Sequence, residues 1–288
     1  MTVPGPPLPR GLEPVGVLGE GGFGLVVRAH DPALDRDVAV KLLRQGGLVP
    51  GAVERTMREG QALARLRHPA IVRVHEAVRM GSDVALIMEY VDGGDLHARL
   101  NQRGFGVEER LTVLDQVASG LAAAHDAGVV HRDLKPGNVL LAEGPAGIQA
   151  RIADFGLARL AHDAAAFRTE SGVAAFTPGY GAPEQMVDPD HETPRIDWYS
   201  FGVLAFRLLR GSMPMPGSLA GAGEEAFARA LDLDPAGRID PRGLVAELRR
   251  VPVAEWTPVT LLAAFRMVLR TSRHAGLPKP ISAASSLP

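Results

Sequence analysis

Along the first ninety residues, apolar positions alternate with polar ones in short bursts. Val15-Gly16-Val17-Leu18, Leu25-Val26-Val27 and Val38-Ala39-Val40 are β-branched runs separated by turn residues, and Ile71–Val78 and Val84–Tyr90 repeat the pattern. Such runs predict strands. One segment breaks the pattern. Between Val53 and Leu66, apolar Met57, Leu63 and Leu66 stand among charged residues at near-helical spacing, which predicts a single helix interrupting the sheet. Beyond Asp92-Gly93-Gly94 the spacing lengthens. Leu111, Leu114, Ala118, Leu121 and Ala122 form an apolar stripe on a helix from about Glu108 to Ala127, with Gly128 as its stop. From Trp198 onward nearly every position is apolar, as expected of a helix buried on all sides. The pattern predicts an α+β chain: a small sheet lobe with one helix over 15–91, then a larger, mainly helical lobe over 92–250. A Gly-Gly hinge joins them around a cleft.

Composition narrows the chemistry. The 288 residues are 46% hydrophobic and 22% charged, enough for a large core. There is no cysteine, so disulfide scaffolds, thiolate metal sites and cysteine nucleophiles are excluded. A formal charge of −2 gives no reason to expect nucleic acid as a partner. Residues 1–14, with Pro4, Pro6, Pro7, Pro9 and Pro14, read as a flexible extension and lack the apolar stretch of a signal peptide. No apolar run approaches the ~20 residues of a membrane helix. A cytoplasmic protein without a transmembrane segment is expected. In the C-terminal extension, 251–288, Leu261, Leu262, Phe265, Val268 and Leu269 suit one amphipathic helix beside Arg266, Arg270 and Arg273. It is expected to pack on the larger lobe, with docking to a partner or an anionic membrane as the alternative, and a disordered end after Gly276.

Four clusters carry the chemistry. Gly19, Gly21, Gly22, Phe23, Gly24 and Val26 lie in a turn between two predicted strands, where glycines would let backbone amides approach a polyphosphate. This is not the dinucleotide fingerprint, because a strand follows it. Lys41 ends the third strand and could neutralise phosphate charge, with Glu59 on the following helix as its anchor. His131-Arg132-Asp133-Leu134-Lys135-Pro136-Gly137-Asn138 gathers a carboxylate, an ammonium and a carboxamide in one short loop. Asp133 can take a hydroxyl proton, Lys135 can stabilise charge on a transferred phosphoryl group, and the Asn138 oxygen can bind Mg²⁺. Asp154, in Asp154-Phe155-Gly156 at the end of a strand, supplies a second hard oxygen ligand.

Taken in this order, the segments resemble the signature set of protein kinases. The resemblance covers about Val15 to Arg250, and the loop HRDLKPGN points to the serine/threonine class, in its bacterial, eukaryotic-type branch. It implies a two-lobed kinase fold using ATP and Mg²⁺, with Mn²⁺ as a substitute ion, on protein substrates bearing Ser or Thr. Gly19 to Val26 would cover the phosphates and Lys41 would hold them, paired with Glu59. Asp133 would be the catalytic base, Lys135 the γ-phosphate contact, and Asn138 and Asp154 the metal ligands. Adenine would bond the backbone of Glu89, Tyr90 and Val91, with Met88 guarding the back pocket. Val26, Ala39 and Leu140 would enclose the ring, and Asp95 would meet the ribose. Leu63, Val74, His131 and Phe155 match an apolar column tying the lobes, which gives His131 a structural role. Ala182-Pro183-Glu184 and Asp197 match the substrate platform, Glu184 pairing with Arg238 and Asp197 accepting from catalytic-loop amides.

The resemblance also implies activation by autophosphorylation at Thr169, with Ser171 secondary, for which a homodimer would serve, and a contact of Thr177 with Asp133. Two departures stand out. The stretch from Gly211 to Arg238 is short and rich in Pro and Gly, so a peripheral docking helix is expected to be reduced; and Phe176 replaces the usual glycine before Thr177. The rival readings are a pseudokinase serving as a nucleotide-binding regulatory scaffold, and a small-molecule kinase. The complete residue set argues against the first and the platform elements against the second.

Overall fold

The computed structural model describes residues 7–21, 24–43, 51–100, 102, 104–145, 147–155, 179–188, 193–215 and 217–256. Strands β1 (Glu13–Gly21), β2 (Gly24–Asp31), β3 (Arg36–Leu43), β4 (Val74–Met80) and β5 (Asp83–Glu89) form one antiparallel sheet in the order β1-β2-β3-β5-β4. Helix α1 (Ala52–Arg65) lies between β3 and β4 in the chain, where the 3.6-residue pattern predicts it. It packs closely: a Cβ on Gly60 would stand 2.8 Å from both Ala77 and Leu86, so only glycine lets the helix lie this near β4 and β5.

The central strands are buried on both faces. Ala39, Leu43, Leu86 and Met88 join the main core, while Ala29, Val38, Val40, Ala85 and Ile87 point the other way. That outer face is partly covered by Leu8 and Leu12, and Pro9 between them is buried. Residues 7–12 are thus a strap on the sheet, where proline content alone suggests a free extension. The strand expected from Ile71 starts at Val74, because the preceding residues pair elsewhere. Val72 N–H donates to Ile152 O at 2.9 Å and Ile152 N–H to Ala70 O at 2.8 Å, bridging to the second lobe.

That lobe contains α2 (Leu96–Leu100), α3 (Val107–Asp126), the hairpin β6 (Val139–Gly144) and β7 (Gly147–Ile152), α4 (Glu184–Val187), α5 (Pro194–Arg210), α6 (Glu224–Ala230) and α7 (Pro241–Leu248). Helix α3 follows its predicted span, and Gly128 lies beyond it at φ +75°. Helix α5 begins one turn before the apolar run, with Pro194 in its first turn, and buries Phe201, Leu204, Leu208 and Leu209. Phe206, Phe227 and Trp256 stack edge-on at 5.0 and 6.2 Å, which seats the start of the C-terminal extension in the core. The amphipathic stretch of that extension lies outside the described residues. Between Gly211 and Gly223 no described residue is helical. The Arg210 guanidinium instead gathers the carbonyls of Leu219, Ala220 and Ala222 at 2.6–3.2 Å.

At the hinge, Gly93 passes so close to β6 that a Cβ would lie 2.3 Å from Leu141 O. Leu141 N–H donates to Gly94 O at 2.9 Å, and Asp95 bridges to Leu140. Backbone bonds thus cross between the lobes from Ala70 and Val72 to Ile152, and beside the hinge Gly94 and Asp95 are held to β6.

Candidate active site

The loop after α3 is built around one carboxylate. Asp197, in the first turn of α5, is fully buried and accepts His131 N–H, Arg132 N–H and His125 Nε2, each at 2.8 Å. Burial alone would raise its pKa; the bonds from His125 and the loop outweigh this and hold it below the ordinary carboxylate range. The expected role of Asp197 toward the loop amides is what the geometry provides. Sequence reasoning misses His125, because a lone His on a helix gives no local signal of a partner 72 residues away.

Above this anchor the backbone is forced. Three non-glycine residues have positive φ among those described, and two are here: Arg132 at +71° and Asp154 at +64°. Such conformations are costly and persist only where surroundings hold them. His131 is one of the restraints. Its Nδ1 accepts Asp133 N–H at 3.2 Å and its Nε2 donates to Ala153 O at 2.8 Å, which assigns the Nε2–H tautomer from the network. Its ring lies 4.7 Å from that of Phe155, so it couples the loop to the Asp154 turn with both ring nitrogens engaged.

Asp133, 7% exposed, receives two donors on one oxygen: Lys135 Nζ at 2.6 Å and Asn138 Nδ2 at 3.2 Å from Oδ2. Asn138 Nδ2 also donates to Asp133 O at 2.8 Å, which directs its Oδ1 away from Asp133. Ala153 N–H donates to Asn138 O at 2.8 Å, setting Asp154 beside Asn138. Lys41, only 3% exposed, reaches Asp154 Oδ2 at 2.8 Å. Lys41 of the first lobe is thus joined through Asp154 to the loop that holds Asp133 and Asn138.

The other predicted positions distribute as follows. Gly19 and Gly21 end β1, Gly21 pairing with Gly24 across the turn; Gly22 and Phe23 lie outside the described residues. Val26 pairs with Lys41 and Ala39 with Met88. Val26, Val91 and Leu140 are partly buried against the main core. Glu59 precedes Gly60, which rests on Leu86, the cross-strand partner of Lys41. Leu63, Val74, Met88, Asp154 and Phe155 share the lining of a cavity of about 20 Å³ behind the cleft. Glu89 contributes more than backbone, since its carboxylate pairs with Arg151 while its N–H donates to Arg73 O. Asp95 has a duty that sequence reasoning misses: its Oδ1 accepts Ala98 N–H at 2.7 Å and so caps α2. Thr169, Ser171, Phe176 and Thr177 lie outside the described residues.

Below the cleft, Glu184 and Arg238 form the expected pair, Nη2 to Oε2 at 2.8 Å, with the Arg238 side chain wholly buried. Arg238 further donates to Asp232 O and Arg195 O, so its charge is matched on every side.

Comparison with known proteins agrees with this geometry. The family model of the protein kinase domain matches residues 12–232. Serine/threonine-protein kinase pkn2 of Myxococcus xanthus is 42% identical over 223 residues, spanning 76% of this chain and 27% of that protein. PknL of Mycobacterium tuberculosis is 40% identical over 206 residues, 70% of this chain and 50% of its own length. The chain therefore spans half or less of these two relatives. A crystal structure of the Mycobacterium tuberculosis PknI kinase domain superposes with a TM-score of 0.66 at 26% identity, covering 84% of this chain and 96% of that one. With the match extending over both lobes and the loop between them, the chain belongs to the protein kinase family, among the bacterial serine/threonine kinases of eukaryotic type.

Proposed function

We propose that this chain transfers the γ-phosphoryl group of Mg-ATP to Ser or Thr hydroxyls of protein substrates. The observation that carries the reading is the convergence on Asp133. A nearly buried carboxylate is held by Lys135 and Asn138, next to an Asp154 already neutralised by Lys41. Protein kinases in general use ATP with a divalent metal ion, and the residues here fit both. Asn138 Oδ1 and the Asp154 carboxylate are hard oxygen donors. Among the described residues no cluster of three or more His, Asp or Glu side chains could cage a metal. Two ligands suit an ion that keeps waters and shares substrate phosphates, as Mg²⁺ does, with Mn²⁺ the nearest substitute.

Bound as Mg-ATP, the nucleotide supplies an activated phosphoryl group. Asp133 orients the acceptor hydroxyl and takes its proton as the new oxygen–phosphorus bond forms and the bond to ADP breaks. Lys135 meets the charge that develops on the transferred group. Lys41, anchored by Glu59, and the backbone of Gly19 to Gly24 position the phosphates. Val26, Ala39 and Leu140 enclose adenine against the Glu89–Val91 backbone; Asp95, with Oδ1 engaged at the helix cap, would reach the ribose through its other oxygen. Autophosphorylation at Thr169 or Ser171 belongs to the same proposal, with two copies of the chain phosphorylating one another.

The test compares the protein with its Asp133→Asn variant in Mg-ATP and maps phosphosites by mass spectrometry. Phosphate on Thr169 or Ser171 in the parent alone supports the enzyme; equal incorporation in both refutes it. Replacing Mg²⁺ by Mn²⁺ or Ca²⁺ in the same assay defines the ion.

A further inference from the structure

We infer that Gln185 is a positioning residue for Asp133, joining the substrate platform to the catalytic loop through one carboxamide. The inference rests on the kinase reading above. Gln185 follows Glu184 in α4 and is 8% exposed. Its Nε2 donates to Arg132 O at 3.1 Å, and its Oε1 accepts Ala182 N–H at 2.9 Å. One contact falls on the loop that carries Asp133 and the other on the turn that enters α4.

The acceptor is what gives the contact its effect. Arg132 O and Asp133 N–H belong to the same peptide plane, the one attached to the Cα of Asp133. His131 Nδ1 holds the N–H end of that plane at 3.2 Å, and Gln185 holds the C=O end. The preceding plane is fixed by Arg132 N–H on Asp197. With Arg132 at φ +71°, the plane would relax once either restraint were lost, and the Asp133 carboxylate would turn with it. Glu184, next door, secures the same short helix to Arg238. Helix α4 is thereby tied outward through Glu184 and inward through Gln185, so a displacement of the platform is felt at Asp133.

Two substitutions separate this role from simple packing. Gln185→Met keeps volume and removes both bonds. Gln185→Glu keeps the acceptor for Ala182 N–H and sets a carboxylate against Arg132 O; facing a carbonyl in a buried place, that carboxyl should titrate above its ordinary range. Its protonated form regains a donor. Steady-state phosphorylation of a Ser/Thr peptide by each form, from about pH 5.5 to 8 on either side of that raised range, reads the difference, with turnover normalised to folded protein. A misplacement near 1 Å costs about 100-fold in rate. Gln185→Met should therefore lose about 10- to 100-fold in kcat with KM for ATP unchanged. Gln185→Glu should match that loss at the alkaline end and recover toward the parent as pH falls, while the ratio for Gln185→Met stays flat. Hydrogen exchange at the Ala182 amide, faster in the Met variant and unchanged in the Glu variant, reports the bridge without turnover. An inactive parent with this exchange pattern refutes the kinase reading alone. An active parent whose variants keep its kcat, or a Glu variant whose loss does not depend on pH, overturns the role of Gln185.

Discussion

Replacing Asp197 with Asn tests the anchor under the catalytic loop, since the substitution removes the charge and turns one acceptor oxygen into a donor while keeping shape. The native carboxylate takes three donors, two on Oδ2 and one on Oδ1, with no exposure to water. An amide has one acceptor oxygen. If that oxygen faces His131 N–H and His125, the new NH₂ faces Arg132 N–H, donor to donor. A bond to a charged acceptor contributes about 1.5–3 kcal/mol, and a buried donor left unpaired costs about 1–3 kcal/mol. Relief of burying a full charge offsets part of this. A net loss of about 2–4 kcal/mol follows from those terms, a large share of the roughly 5–15 kcal/mol that holds a domain together. The protein should still fold, with the damage concentrated where Arg132 leaves its positive φ. Urea denaturation followed by fluorescence measures the total, and hydrogen exchange at Arg132 and His131 locates it. Turnover should fall more than stability does, because Asp133 follows directly. A stability change below about 0.5 kcal/mol, the range of surface substitutions, with unaltered exchange at these amides would refute the argument.

Gly93→Ala should destabilise by about 1–3 kcal/mol, as overpacking does. The added methyl would meet Leu141 O at 2.3 Å, so the hinge must pull away from β6; thermal melting and nucleotide titration should both register it. Arg238→Ala should cost about 3–5 kcal/mol, the effect of breaking a buried pair from one side, because Glu184 loses this ion pair; chemical denaturation measures this. Arg238→Lys should recover only part, since an ammonium cannot reproduce the fork. Burial, and then Arg36 and Arg73, push the His75 pKa below its ordinary value, while Asp31 opposes the shift. The unfolded chain then binds the extra proton first, so this contribution is present above pH 6.5 and is lost as pH falls through the lowered folded value. Melting temperatures measured on both sides of that range should show less slope in His75→Gln than in the parent.

What can be read in the sequence is chemistry packed into consecutive residues. His131 to Asn138 and Asp154 to Gly156 hold their functional groups within a few positions, so type and order alone point to the site. Periodicity serves as well for α1, α3 and the central strands, where one buried stripe decides the structure. Contacts made across the chain leave no such trace. His125 meets Asp197 across 72 residues, and Gln185 meets Arg132 across 53. Neither has a neighbour that announces the partner. The start of β4 shifts for a related reason: Ile71 and Val72 are apolar enough for a strand in the first sheet, but their partner is Ile152 in the second lobe. Composition misleads at residues 7–12, where prolines suggest freedom and the two leucines among them decide otherwise.

That strap bears on how the protein can be handled. Trimming the chain to Glu13, a natural choice for anyone removing a proline-rich leader, would strip Leu8, Pro9 and Leu12 from Val38, Val40 and Ile87. Uncovered aliphatic surface on a sheet invites self-association. A shortened version that precipitates would then be suffering from a missing lid on its first lobe, with the catalytic machinery itself intact.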